Sequence, residues 1–266
     1  MSTSFPRRAA ARPPADANPL ALAIVPLAEI ARVRAAFSRL LPVGASIESR
    51  LRGVLDDTLA HPGSLVRAQM AFGIATRLGL APGPAMDLAI AVEYFHAASL
   101  IFDDMPAMDD AAVRRGRPCP HLVHGEAAAT LGALALITRA YEMLWGVLGG
   151  LPARRRARAA ALVAECLGVA GILDGQSRDV HFGRRGAPVR AIERVAAAKT
   201  VPLLRLAIVL PALAAGAGER ALRELERLSA AWGLGYQILD DFKDCLLSER
   251  EAGKTTEHDA KLGRPN

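Results

Sequence analysis

Aromatic residues are scarce in this chain of 266 residues, at 5%, although 52% of it is hydrophobic. Alanine and leucine carry the apolar content in place of β-branched residues, a balance that disfavours sheets and favours helices. No stretch alternates polar and apolar as a half-buried strand does, and no fixed period repeats along the chain. Cysteine is nearly absent. Cys119, Cys166 and Cys245 lie far apart, odd in number and without metal-like spacing. This argues against a full disulfide framework and fits a reducing cytoplasm. Long uncharged apolar runs are missing too: the longest, such as Ala127 to Thr138 and Leu206 to Gly218, fall short of the roughly 18 to 20 residues of a bilayer span. No transmembrane helix is expected. The net charge of +6 is not drawn into a basic stripe interleaved with aromatics, so no nucleic-acid partner is expected. Nor does any glycine-rich turn follow a strand to cradle a nucleotide.

What is present is a succession of apolar helical patterns punctuated by proline and glycine. Residues 1–19 are rich in Ala, Pro and Arg without an apolar core, and read as a disordered tail. Residues 20–266 read as a single domain, because no internal linker interrupts them. In SIESRLRGVLDDTLA (46–60), Ile47, Leu51, Val54, Leu55 and Leu59 share one helical stripe. His61-Pro62-Gly63 ends that helix, and Ser64 is placed to cap the next, which runs to about Leu80. Further helices are predicted from Ala85 into Asp103-Asp104, and over 125–148, 153–182, 189–213 and 219–247.

Against this apolar background the stretch IFDDMPAMDDAAVRRGRP (101–118) concentrates four aspartates and three arginines: Asp103, Asp104, Asp109, Asp110, Arg114, Arg115 and Arg117. A second cluster, YQILDDFKD (236–244), places Asp240 and Asp244 four apart on one helix face, roughly 6 Å from each other, with Asp241 to one side. Like charges at such spacing repel unless a cation joins them, and hard carboxylate oxygens suit Mg²⁺, which completes its shell with water and phosphate. Asp103 and Asp109 would diverge on a straight helix. Pro106 lets the chain loop and bring Asp109 back. Either cluster alone reads equally well as a solvated helix end. Two of them, each closing an apolar helix (AASLIF at 97–102 and LGYQIL at 234–239), point to acids at the mouth of a buried cavity.

These residues resemble the trans-isoprenyl diphosphate synthases of the polyprenyl synthetase family. The resemblance runs from about Arg67 to the last residue. It includes EYFHAASL (93–100), both aspartate motifs, Arg114-Arg115-Gly116, Gly175-Gln176 with Asp179, Lys199-Thr200, Tyr236-Gln237, and Gly253-Lys254 with Asp259. It implies an all-α bundle of roughly ten helices around a central apolar cavity, a homodimer, and a reaction joining isopentenyl diphosphate to an allylic diphosphate. By the same resemblance, Asp103, Asp104, Asp109, Asp240, Asp241 and Asp244 hold three Mg²⁺ ions, with Mn²⁺ as a substitute. Arg114, Lys199 and Lys254 grip the allylic diphosphate, and Gln237 and Thr200 turn their dipoles toward the allylic cation. Arg67, His96 and Arg115 hold isopentenyl diphosphate. His121 and His124 are read as packing or capping residues.

The chain departs from the family pattern in two places. Where the family carries Gly-Gly-Lys-x-x-Arg, this sequence has Pro62-Gly63-Ser64-Leu65-Val66-Arg67, so a serine stands where the lysine would bind isopentenyl diphosphate. A helix N-terminus capped by Ser64, together with His61, offers a partial substitute. The chain also ends at Gly263-Arg264-Pro265-Asn266, where the family continues, which predicts missing C-terminal helices. Product length is read from sterics: Ala98 and Ser99, one turn before Asp103, are small enough to let the chain pass, and Phe95 forms the floor. A C20 product, geranylgeranyl diphosphate, is therefore expected over C15, farnesyl diphosphate. Two other readings remain: a terpene cyclase or lyase on the same fold, and a non-catalytic subunit of a prenyl diphosphate synthase.

Overall fold

A computed structural model of the protein describes residues 26–182 and 189–246, the side chains at 189, 234, 236–238 and 240–246 excepted. The tail expected over 1–19, Lys254 and the end of the chain lie outside the described residues. The elements in order are α1 (Leu27–Arg39), α2 (Ser49–Ala60), α3 (Val66–Arg77) and α4 (Pro82–Asp103). A two-strand hairpin follows, β1 (Val113–Arg114) and β2 (Arg117–Pro118), then α5 (Pro120–His124), α6 (Glu126–Gly149) and α7 (Ala153–Leu167). A π-helical turn (Val169–Leu173) leads into α8 (Asp174–Val180), α9 (Val189–Ala215) and α10 (Glu219–Leu246).

The centre of the bundle is α4, which packs against α3 and α6 and also meets α1 and α9. Its residues Leu88, Ala89, Ile90, Ala91, Val92, Glu93, Tyr94 and Phe95 are buried in succession, so every face of the helix is covered. A helix apolar all round belongs in such a position. Pro82 starts it at N1, where the absent N–H costs nothing. The Tyr94 hydroxyl donates to the Phe37 carbonyl at 2.6 Å, and the two rings meet at 5.1 Å, fastening α1 to α4.

Several boundaries differ from the sequence-based expectation. A helix at Leu27–Arg39 precedes the first one predicted. Two strands are present where none was expected, a minimal ladder pairing Val113 with Pro118 and Arg114 with Arg117. The helix predicted over 153–182 is broken. Gly168 is extended and Gly171 leaves helical geometry (φ −103°, ψ −126°), and only glycine fits there, since a Cβ would strike the carbonyls of Glu165 and Cys166. Helix α3 is not capped by Ser64. Its N-cap residue is Leu65, at φ 53°, and the N–H of Ala68 is instead satisfied by Oε2 of Glu93 at 2.9 Å.

The absence of long uncharged runs gave an incomplete picture of hydropathy. Helix segments Pro82–Asp103, Glu126–Gly149 and Arg190–Ala215 are each long and apolar enough, by length and composition, to cross a membrane. In the fold they are the helices that build the core. Two of the charges they carry, Glu93 and Asp103, are buried against polar partners.

Candidate active site

The C-terminal end of α4 brings Asp103 and Asp104 to the edge of the apolar core, and the chain then turns back on itself. The N–H of Asp109 donates to the carbonyl of Asp103 at 2.9 Å, Asp110 N–H to Met105 at 3.0 Å, and Ala111 N–H to Asp104 at 3.2 Å. The loop over Pro106 therefore returns Asp109 to Asp103. The two adjacent aspartates part company here. Asp103 faces α8 and α9, where Gln176 Nε2 donates to its Oδ1 and Lys199 Nζ lies 3.8 Å from Oδ2. Lys199 Nζ also donates to Asp179 Oδ2 at 2.7 Å.

Asp104, only 1% exposed, turns the other way. Arg114 Nε lies 2.7 and 2.8 Å from its two oxygens, and Nη2 lies 2.6 Å from Oδ1. This fork-on-carboxylate geometry suits a planar guanidinium. The hairpin explains how neighbouring arginines serve two places. Arg115 (φ 53°) and Gly116 (φ 72°) both adopt the left-handed conformation of a two-residue turn, which glycine accepts freely and arginine does not. Arg114 accordingly reaches Asp104, while the Arg115 guanidinium lies against Gly63, in the space a Cβ would take.

Charge and burial set the protonation states. Burial pushes the Asp103 carboxyl up to about 6, opposed by Lys199 and reinforced by Asp109 and Asp179. For Lys199, burial works against the ammonium, but Asp103, Asp179 and Asp109 more than offset it, and its proton is held more tightly than in a free lysine. His96 is held well below its ordinary range, first by burial and then by Arg67, Arg115 and Arg114. Its imidazole is neutral, and Nε2 lies 3.2 Å from Arg67 Nη1 as the acceptor of that contact. Glu93, 3% exposed, is raised by burial and partly restrained by Arg67, the Ala68 N–H and Arg115.

The sequence-predicted residues thus fall into two neighbourhoods. Asp103, Asp109 and Lys199 converge beside α8, with buried Thr200 following Lys199 on α9. Arg67, His96 and Arg115 gather around Glu93. Asp104 does not join the first group, since Arg114 occupies both its oxygens. Gln237, Asp240, Asp241 and Asp244 lie on α10, but their side chains are outside the described residues. Ala98 is fully buried and Phe95 nearly so, with Tyr141 edge-on to Phe95 at 5.0 Å. Ser99 Oγ donates to the His96 carbonyl at 2.9 Å. His124 pairs with Asp57 at 2.8 Å, and among the described residues buried His121 has no hydrogen-bond partner for either nitrogen.

Gln176, Asp179 and Glu93 received no role in the sequence reading, although the segments containing them were singled out. The signal was there in Gly175. Its Cα packs on the Ala198–Lys199 backbone with no room for a side chain, which is what brings α8 close enough for Gln176 and Asp179 to meet their partners. Among the described residues no three acidic, histidine or cysteine side chains form a complete metal site. The donor chemistry nevertheless fits a hard divalent cation. Asp103 is a buried carboxylate whose ionisation is opposed by two neighbouring acids, a cost that such a cation relieves.

Comparison with known proteins supplies the remaining link. The family model for polyprenyl synthetase matches residues 48–266. The chain is 35% identical over 225 residues to geranylgeranyl diphosphate synthase of Pantoea ananas, covering 82% of this chain and 74% of that one. It is 38% identical over 195 residues to farnesyl diphosphate synthase of Escherichia coli K12, covering 73% of this chain but only 63% of the relative. In structure it resembles an FPP/GFPP synthase from Zymomonas mobilis (TM-score 0.74, 26% identity, 88% of this chain and 81% of that one). It shares the fold of a Helicobacter pylori geranyltransferase solved with magnesium and isoprenyl diphosphate (TM-score 0.76, 24% identity, 86% and 77% covered). Sequence and fold agree over most of the chain, which therefore belongs to the polyprenyl synthetase family.

Proposed function

We propose that the chain is a magnesium-dependent trans-prenyltransferase, which condenses isopentenyl diphosphate with an allylic diphosphate and releases pyrophosphate. The observation that carries this reading is the meeting of Asp103 with Lys199 and Gln176 at the end of a predominantly apolar, largely buried helix. It supplies charge for a diphosphate beside a surface suited to a prenyl chain. In the reaction the allylic C–O bond breaks and its electron pair leaves with pyrophosphate. The double bond of isopentenyl diphosphate then forms the new C–C bond, and a proton is lost, with pyrophosphate as the acceptor.

Bound Mg²⁺ would neutralise charge growing on the leaving diphosphate. Asp103, Asp109, Asp240, Asp241 and Asp244 would provide the oxygens to hold it. Asp104 has a different part in this scheme: it orients Arg114, which with Lys199 and Lys254 binds the allylic diphosphate. A cation held close to a leaving group stabilises the transition state more than the ground state. Thr200 and Gln237 would supply dipoles that stabilise the allylic cation, and apolar walls would exclude water from it. Arg67, neutral His96 and Arg115 form the second diphosphate site.

A C20 product is favoured over C15, because Ala98 leaves space that a large side chain would close. The homodimer is supported by Leu131, Leu134 and Trp145, which stand half-exposed along one face of α6. The free thiols of Cys119 and Cys166 accord with work in a reducing cytoplasm.

The test is incubation with Mg²⁺, labelled isopentenyl diphosphate and C5, C10 or C15 allylic partners, followed by sizing of the products. Label in a lengthened prenyl diphosphate is the expected result. An unlabelled hydrocarbon would assign the chain to the cyclases, and absence of pyrophosphate release would make it a silent subunit.

A further inference from the structure

Gly63 is held between two guanidinium groups. Arg115, from the hairpin, covers its Cα, and Arg34, from α1, donates from Nη2 to its carbonyl at 3.1 Å. Arg34 is exposed, and among the described residues no carboxylate lies within ion-pair distance of it. One of its five N–H donors is directed to Gly63, and the others remain available to an anion. Its position is fixed from below, since Phe37, one turn further along α1, is fastened by Tyr94. Next to it, Pro62 lines a cavity of about 20 Å³ with Thr58, His61, Glu93, His96 and Arg115 in its walls. That volume admits a water molecule and not a diphosphate, so an anion drawn to Arg115 must bind outside the cavity, where its guanidinium lies against Gly63.

We propose that Arg34 is a substrate-binding residue that grips the diphosphate of isopentenyl diphosphate from helix α1. In doing so it supplies at the mouth of the site the fixed positive charge that Ser64 cannot. The neighbouring α3 N-terminus is a poorer candidate for this task, because Glu93 already takes the Ala68 N–H and brings a negative charge with it. This inference rests on the prenyltransferase reading for the identity of the ligand, but its test separates the two.

The experiment measures binding of isopentenyl diphosphate alone by calorimetry, and steady-state turnover with geranyl diphosphate, for the wild type, Arg34→Ala, Arg34→Gln and Arg34→Lys. Arg34→Ala and Arg34→Gln are each expected to weaken isopentenyl diphosphate binding about tenfold, the loss of one charge-assisted hydrogen bond. The KM for geranyl diphosphate should stay within about twofold, and Arg34→Lys should recover most of the binding. Wild-type affinity in Arg34→Gln would show that the bond to the Gly63 carbonyl, and not the charge, is what matters, and would overturn the proposal. So would equal weakening of both substrates, or a lysine variant no better than alanine. Weakened binding without turnover in any form would uphold Arg34 and reject the elongation reading. A wild type that binds no isopentenyl diphosphate rejects both.

Discussion

Arg114 and Asp104 form a closed, two-pronged ion pair beneath the first aspartate motif, with the aspartate almost fully buried and the arginine reaching it from a two-residue strand. The pair couples the end of α4 to the hairpin. Removing one partner leaves a charge without water or counterion, so Arg114→Ala is expected to lower the unfolding free energy by about 3 kcal/mol. Asp104→Ala and the double variant complete a cycle. Urea denaturation should give a coupling above about 1 kcal/mol, and additive losses would show that the two side chains act independently.

Gly175 offers a prediction of sign. In a helix, glycine to alanine ordinarily stabilises by about 0.5–1 kcal/mol. At this position a Cβ meets the Ala198 carbonyl and lies 2.7 Å from the Lys199 nitrogen, so α8 must move away from α9. Gly175→Ala should therefore lower the melting temperature. It should also reduce turnover more than tenfold, by separating Asp179 and Gln176 from Lys199 and Asp103. A stabilised, active variant would remove the packing argument.

Glu93 should impose a pH dependence on stability. Burial raises its carboxyl above the ordinary 4.5, against the pull of Arg67, the Ala68 N–H and Arg115. The folded protein then holds this proton more tightly than the unfolded chain. The associated stability is fully present below about pH 4.5 and is lost as pH rises through the elevated value. Glu93→Gln abolishes that titration while keeping an acceptor for Ala68. Urea midpoints measured between about pH 4 and pH 8 should fall less steeply for the variant, and parallel curves would contradict the assignment.

Ala98 is fully buried one turn before the motif, with Phe95 on the same helix and its edge-on partner Tyr141 on α6. Ala98→Tyr is expected to shift the product toward C15 or shorter, at an overpacking cost of about 1–3 kcal/mol. Chromatography of the dephosphorylated products reads the first effect and thermal denaturation the second. Unchanged chain length in a folded variant would place the growing chain elsewhere.

The sequence by itself determined the helical class, the order of the principal helices and the return of Asp109 to Asp103, because these follow from side-chain periodicity and from proline's missing N–H, which act over a few residues. The tertiary structure alone decided which charge meets which. Asp103 and Asp104 are neighbours with the same side chain, yet one faces Lys199 and the other Arg114. Two adjacent arginines are sent apart by a left-handed turn, and Glu93, from 25 residues away, does the capping that Ser64 seemed placed to do. A buried charge must find a partner wherever packing provides one, and that choice is made between helices distant in the chain, where no local pattern can record it.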